Sequence, residues 1–316
     1  MTSAEAIALI EAATGPDDVF GGGDGTMAAR LYRRLARLTH PDACAGDSRA
    51  AGAFAKLAEL WRRRQGSYGS LLVRGDIGNL YRVRQGLLKI ARNPADNDLM
   101  RREALSLGTL RDRIEPRLRA YFPHLVEARR RQDPGSGVER LANVIAELPG
   151  FVSLAEVRTA FRAGVDARDA AWMWRRLLVA IGAAHRAGVI HGAVLPEHVL
   201  IHPAEHGLVL VDWCYSLAGP ATRLAAVVGR YRDWYPPEVL TDRCAGPDLD
   251  IWLATRCMTE LIGARMPERL AKFAAGCLLA GPRHRPSDAW QLLAELDELL
   301  DRLYGPRVFR PFAMPA

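Results

Sequence analysis

Around residue 70 the spacing of apolar residues changes, and one repeating architecture cannot accommodate both sides of the change. Upstream, AARLYRRLARL (28–38) puts Ala28, Leu31, Tyr32, Leu35 and Leu38 on one stripe and Arg30, Arg33, Arg34 and Arg37 elsewhere, the period of an amphipathic helix. SRAAGAFAKLAELWRRR repeats that spacing through Phe54, Leu57, Leu60 and Trp61, with Ser48 read as its cap. Downstream, SLLVRGDIG, NLYRVRQ and LLKIAR are short strand-like runs separated by glycine-containing turns. A helix over 98–111 follows, then the pair LVEARRRQ and RLANVIAEL joined by the turn DPGSG. From about residue 165 the pattern is mostly helical, interrupted by two short strands at 199–201 and 208–212.

No self-similarity at periods of about 20–50 residues is present, which excludes a solenoid. The segments GPDDVFGGGDG (15–25) and RRRQGSYGS (62–70) read as loops, the second as a domain boundary. GGGDG (21–25) follows no clear strand and carries no Walker lysine, so it reads as a loop rather than a phosphate cradle. The expectation is an α+β chain. A small all-helical domain spans 1–66, and a larger domain spans 67–316 with a strand-rich half (67–148) and a helical half (149–316).

Composition narrows the function classes. The 316 residues are 49% hydrophobic, enough for one large domain or two smaller ones. No uninterrupted apolar run approaches the length of about eighteen residues that a membrane span needs. MTSAEAIALIEAATG lacks the basic opening and cleavage site of a secretory leader. Cys44, Cys214, Cys244, Cys257 and Cys277 are odd in number and form no C-x-x-C pair, which favours reduced thiols in a cytoplasm over disulfides or a zinc site. The net charge of +7 suits acidic partners. But three lysines against forty arginines, with abundant alanine, read as the codon composition of a GC-rich bacterial genome. Nucleic acid is not an expected partner.

The strongest motif series lies in the larger domain. VIHGAVLPEHVLI (189–201) follows the frame of a catalytic loop with His191, Gly192, Ala193 and, five places further on, His198, and RGDIGNLYRV places Gly75 and Gly78 in a short glycine-rich turn, with Val73 where a first glycine would stand. LLKIAR carries Lys89, DLMRREALSLGTL carries Glu103, and ANVIAELPGFVSL carries Glu147 and Leu148. VDWCYS carries Asp212, YPPEVL carries Glu238, DLDIW carries Asp250 and RHRPS carries Arg285. Taken in order, these segments over roughly 70–300 resemble a protein kinase. The resemblance implies a two-lobed fold. It implies that Gly75 and Gly78 approach phosphates, that Lys89 contacts them and pairs with Glu103, and that Glu147 and Leu148 form the adenine hinge. Asp212 would hold magnesium, Asp250 would anchor the catalytic loop, and Arg285 would pair with Glu238.

The departures are chemical. Ala193 stands where the resemblance expects the catalytic aspartate, and His198 where it expects the magnesium-binding asparagine. Alanine accepts no proton, and imidazole is a poor ligand for a hard cation. Trp213 and Cys214 replace the phenylalanine and glycine after Asp212, and Leu87 replaces the small residue that roofs the adenine. Glu197 is close by in sequence but occupies a position that faces away from substrate in the family. The expectation is a pseudokinase that retains a site for ATP, with magnesium held by Asp212 alone if at all, acting as a regulatory or scaffolding protein-binding module. The alternative is an active phosphotransferase or nucleotidyltransferase with an atypical site.

LTHPDACAG places His40-Pro41-Asp42 directly after the arginine-rich helix, with Phe54 in the next one. Pro41 cannot continue a helix, and Asp42 can close a turn with its side chain. The arrangement resembles the J-domain of heat-shock co-chaperones, although AEAIALIEAA lacks that family's usual opening. It implies that Arg33, Arg34, Arg37, His40, Pro41 and Asp42 contact an acidic patch on a heat-shock ATPase. Of the remaining features, His202 and His206 have the i, i+4 spacing of a metal pair but read as a solvated hairpin. Ser216, Thr222 and Tyr231 read as positions open to phosphorylation.

Overall fold

A computed structural model describes residues 1–21, 25–44, 47–66, 70–132, 138–219 and 223–315. Residues 22–24 of GGGDG, the turn DPGSG at 133–137 and Thr222 lie outside the described residues. The chain is α+β, and it divides into two compact units: Met1–Met100 with Val126–Glu147, and Arg101–Leu125 with Leu148–Ala316.

The first unit opens with four helices: α1 (Ser3–Ala12), α2 (Pro16–Phe20), α3 (Gly25–Thr39) and α4 (Ser48–Gly66). Thr2 starts α1 through a reciprocal capping box, its hydroxyl taking the Glu5 N–H at 3.3 Å while the Glu5 carboxylate takes the Thr2 N–H at 2.7 Å. Ile7 and Ile10 of α1, Leu35 of α3 and Leu57 and Leu60 of α4 close into one buried cluster, with Phe20 of α2 beneath them. Trp61 stacks on Tyr32 at 4.7 Å and meets the Phe20 edge-on at 5.2 Å, so α4 is pinned to both α2 and α3.

Three local expectations are corrected. The stretch 15–25 is not all loop: Pro16 at the first helical position and Asp18, which takes the N–H groups of Thr14 and Gly15, build α2. Ser48 is the first helical residue of α4; the cap is Asp47, whose carboxylate accepts from Arg49 N at 2.9 Å. The segment 62–70, read as a loop, is still helix through Gly66.

After α4 come β1 (Ser70–Arg74), β2 (Gly78–Val83), β3 (Gly86–Ala91), the start of α5 (Asn97–Arg113), β4 (Leu125–Gln132) and β5 (Glu139–Ile145). The sheet order is β1-β2-β3-β5-β4. Strand alternation buries Leu88 and Ile90 of β3 against Ala142 and Val144 of β5, which puts Lys89 on the opposite face, paired across the ladder with Leu80 and Asn143. Asn143 is itself fixed, donating to Met100 O at 3.0 Å.

The second unit contains β6 (Val152–Ser153), α6 (Leu154–Ala160), α7 (Ala167–Arg186), β7 (Val189–Ile190), β8 (Val199–His202), β9 (Gly207–Leu210) and β10 (Leu217–Ala218). Helices α8 (Pro237–Asp242), α9 (Pro247–Ile262), α10 (Glu268–Cys277) and α11 (Ala289–Tyr304) complete it. The ladder β6-β8-β9 and the two-residue pair β7-β10 brace its loops, and the short strands β6, β7 and β10 carry no readable alternation. Helix α7 is the core element, buried along most of its length and packed against α9 and α11. Asp166 caps it, and the neighbouring Arg168 holds the Asp166 carboxyl down at about 2.

Gly182 is where α7 admits Trp290 of α11: a Cβ there would lie 2.6 Å from the indole nitrogen. Gly182→Ala therefore sets a helix-propensity gain of about 1 kcal/mol against an overpacking cost of about 1–3 kcal/mol. The expected result is a net loss of roughly 1 kcal/mol in urea denaturation. A gain in stability would mean that Trp290 is not seated against this turn.

Candidate functional site

Each unit contributes its own set of residues. In the first, Gly75 and Gly78 flank the turn between β1 and β2. Gly75 N donates to Gly78 O at 3.0 Å, so that amide is already used inside the hairpin. Neither glycine admits a side chain: a Cβ on Gly75 would meet Gly78 O at 2.6 Å, and one on Gly78 would meet Ile90 O at 2.9 Å and Lys89 Cγ at 3.4 Å. Gly78 thus clears the stem of Lys89, which is buried. Glu147 follows β5 with its carboxylate turned back to Arg82 Nε at 2.8 Å. Leu148 is half-buried at the start of the second unit's main segment.

The second unit builds its site on a buried carboxylate. Asp250, in the first turn of α9, accepts from His191 N at 2.8 Å, Gly192 N at 2.8 Å and the His185 ring at 2.8 Å. That fixes the loop after β7. Gly192 has a φ of 76°, and a Cβ there would meet Leu224 Cδ2 at 2.6 Å and Tyr215 O at 2.8 Å. Ala193 beside it is fully buried. The loop is therefore sealed by Tyr215 and Leu224, neither of which any local pattern marks.

Asp212 takes the left-handed conformation, φ 67° and ψ 63°, at the entry to a tight turn over Trp213–Tyr215. Its Oδ2 lies 3.4 Å from His198 Nε2, while His198 Nδ1 donates to Ala193 O at 2.8 Å. The carboxylates of Glu103 and Asp212 and the Cys214 thiol lie within 4.8 Å of one another. Trp213 is buried, donating to Leu210 O at 2.8 Å and packing edge-on against the His191 ring. Glu197 is engaged with Arg230 at 3.5 Å and with Tyr231. Arg285 reaches both Glu238 at 2.5 Å and Asp248 at 3.2 Å.

In the helical segment, α3 ends at Thr39, and Asp42 N donates to His40 Nδ1 at 3.3 Å. The His40 ring meets Phe54 of α4 edge-on at 5.2 Å. Ala36, Arg37, His40, Asp42, Ala43 and Phe54 line an open, mainly apolar depression. Arg33, Arg34, Arg37, Pro41 and Asp42 are exposed around it.

Two readings change. His206 is not solvated: it is buried, stacked on Trp172 at 4.1 Å and covered by Phe309 at 4.5 Å. The chain end is held there by Arg310, which bonds Asp169 at 2.8 Å, and by Phe312, which stacks on Phe161. Ser216 is closed to a modifying enzyme. It is fully buried, its hydroxyl bonded to Trp213 O at 2.6 Å and to the Ser106 hydroxyl at 2.7 Å. Tyr231 is partly buried against Glu197, and desolvation followed by that carboxylate raises its pKa.

Similarity to known proteins bears on part of this geometry. Over 147 residues, 44% of the chain, it is 31% identical to calcium-dependent protein kinase 5 of Oryza sativa subsp. japonica, of which the match spans 26%. Over 152 residues, 45% of the chain, it is 28% identical to calcium-dependent protein kinase 4 of Arabidopsis thaliana, of which the match spans 30%. No family model matches the chain. The matches support a kinase-like fold for that part of the chain. No helix among the described residues is long and apolar enough to cross a membrane.

His191 makes the site pH-sensitive. Its Nε2 donates to Val211 O at 2.9 Å and its Nδ1 accepts from Ala193 N at 3.2 Å, an arrangement that suits the neutral ring. Burial pushes its pKa down to about 4; Asp250 opposes that shift and His198 adds to it. Below the ordinary value of 6.5 the unfolded chain binds this proton and the folded chain does not. The contribution is complete above that value and is lost as pH falls towards 4. At about pH 5 the wild type should be roughly 2 kcal/mol less stable than at about pH 7 from this group alone. His191→Gln should lack that component in urea denaturation at the two pH values. Identical pH slopes for both proteins would remove His191 from the explanation.

Proposed function

We propose that residues 67–316 form a pseudokinase that binds ATP without transferring its phosphates and acts as a protein-docking module. The observation that carries the reading is the state of the loop at 191–193. Ala193 offers no proton acceptor and is buried, and Leu224 packs against Gly192. Phosphoryl transfer rests on positioning and electrostatic stabilisation, with a base or orienting group for the nucleophile. Loss of general-base catalysis alone costs about 10²–10⁴-fold. Glu197, the nearby carboxylate in sequence, is occupied by Arg230 and Tyr231.

Retention of a nucleotide site is supported by the other half of the pattern. Lys89 is buried at mid-strand, Gly78 keeps its stem clear, and Glu103 and Asp212 are kept. Magnesium fits this donor set badly. It demands near-octahedral oxygen ligands, whereas His198 presents a nitrogen directly to Asp212. ATP binding is accordingly assigned to Lys89, Gly75, Gly78 and Glu147 of the first unit, without a magnesium-dependent step. Calorimetric titration of the full chain with ATP should give saturable binding that Lys89→Ala weakens by about tenfold or more, with little dependence on magnesium. No heat at millimolar nucleotide would eliminate the binding reading, and transfer of label from γ- or α-labelled ATP would eliminate the pseudokinase.

We further propose that residues 1–66 act as a J-domain-like module towards a heat-shock ATPase. What supports it is the joint placement of the His40-Pro41-Asp42 turn, Phe54 against the His40 ring, and the exposed Arg33, Arg34 and Arg37 beside an apolar depression. Such a surface suits an acidic partner with an apolar contact at its centre. In an ATPase-stimulation assay with a bacterial heat-shock ATPase, Asp42→Asn should abolish the stimulation given by the wild type. Equal stimulation by the two would make the turn purely structural.

A further inference from the structure

We propose that Glu103, Asp212 and Cys214, with His198, form a binding site for a thiophilic divalent cation of the zinc class. This goes beyond nucleotide binding and does not depend on it. The ligand atoms of Glu103, Asp212 and Cys214 lie within 4.8 Å of one another, and His198 Nε2 lies 3.4 Å from Asp212 Oδ2. Zinc takes its donors at about 2.0–2.3 Å, so the three clustered atoms close around an ion by small side-chain movements, and His198 approaches it from the Asp212 side.

The donor chemistry sets the class of metal. Thiolate and imidazole beside carboxylates select zinc-like ions over magnesium or calcium. The two residues that spoil the site for magnesium, His198 and Cys214, are the two that suit a softer ion. His198 also carries the outer-shell feature of a metal-bound imidazole: its Nδ1–H is fixed on the Ala193 carbonyl at 2.8 Å, which aims Nε2 towards Asp212. His198, Glu103 and Cys214 are all buried, so the site is held away from competing water.

The frame is stiff as well. Asp212 and Cys214 sit two residues apart across a tight turn, and Ser216 at the end of that turn is tied to α5. Its hydroxyl bonds Ser106 at 2.7 Å and its carbonyl accepts from Arg102 at 3.3 Å. Arg102 and Ser106 flank Glu103 on the helix, so the turn bearing two donors is fastened to the helix bearing the third. On binding, the Cys214 thiol releases its proton and the sulfur ligates the ion.

Cobalt(II) is the probe, because a thiolate ligand gives it a charge-transfer absorption in the near ultraviolet and low-coordinate geometry intensifies its visible bands. The full chain, freed of metal by a chelator, should take up one cobalt ion with that absorption, and zinc should displace it while excess magnesium does not. Cys214→Ser should lose the thiolate band; Glu103→Gln and His198→Asn should retain it but weaken binding by about 10–100-fold or more. Circular dichroism of each variant separates loss of the site from loss of the fold. Failure of the wild type to bind a single cobalt ion overturns the proposal. So does a thiolate band that persists in Cys214→Ser, which would place the ion on one of the other four cysteines, or binding untouched by both Glu103→Gln and His198→Asn.

Discussion

The second unit depends on one buried charge. The carboxylate of Asp250 is almost wholly removed from water, and burial of an ion is tolerated only where its lone pairs are met. Three donors meet them: the His185 ring and the backbone N–H groups of His191 and Gly192. Hydrogen bonds to a charged group contribute about 1.5–3 kcal/mol each, so the loop from 191 to 193 has little freedom to choose another path. His191 then carries the constraint onward, through its ring, to the Val211 carbonyl beside Asp212. A single side chain on α9 thereby places both the loop and the turn on which the site's chemistry rests.

That constraint separates what anchors the loop from what the loop carries. None of the three bonds to Asp250 uses the side chain of residue 192 or 193, so the anchor does not depend on the group that residue 193 carries. Gly192 adopts a left-handed conformation in which a larger residue would run into Leu224 and the Tyr215 carbonyl. Ala193 is fully buried and carries no polar group. The same holds at Arg285, whose bonds to Glu238, Asp248 and the carbonyls of Leu279 and Ala280 stabilise the segment after the loop whatever the loop does chemically. Architecture and reactivity are carried by different atoms.

Much of this is legible in the amino-acid order alone. Helical period marks the apolar stripes of α3 and α4, alternation marks β2 and β3 with Lys89 on its own face, and motif order puts Asp250 and Arg285 with their partners. The readings that fail share a cause. The polar, glycine-rich stretch at 15–25 hides α2 because the helix is made by Pro16 and Asp18 acting on their immediate neighbours, a cap signal that glycine content masks. His206 reads as a hairpin residue because Phe309 and the chain end that cover it are far away in sequence. Ser216 reads as modifiable because its partner, Ser106, lies on α5. Cys214 reads as a lost glycine; only the fold brings Glu103 beside it. Local patterns report local energetics, and His206, Ser216 and Cys214 each take their environment from a distant segment.

The basic residues carry a further argument. A chain with forty arginines retains a lysine at residue 89, and it is the buried member of its three lysines. Arginine is a planar fork that needs several acceptors in one plane, whereas an ammonium is compact and rides on a flexible stem. At mid-strand, Gly78 leaves the stem of Lys89 clear and Asn143 is fixed across the ladder. Burial of that charge costs several kcal/mol unless it is compensated. A composition that otherwise writes Arg for nearly every cation thus keeps a compact ammonium at this buried position.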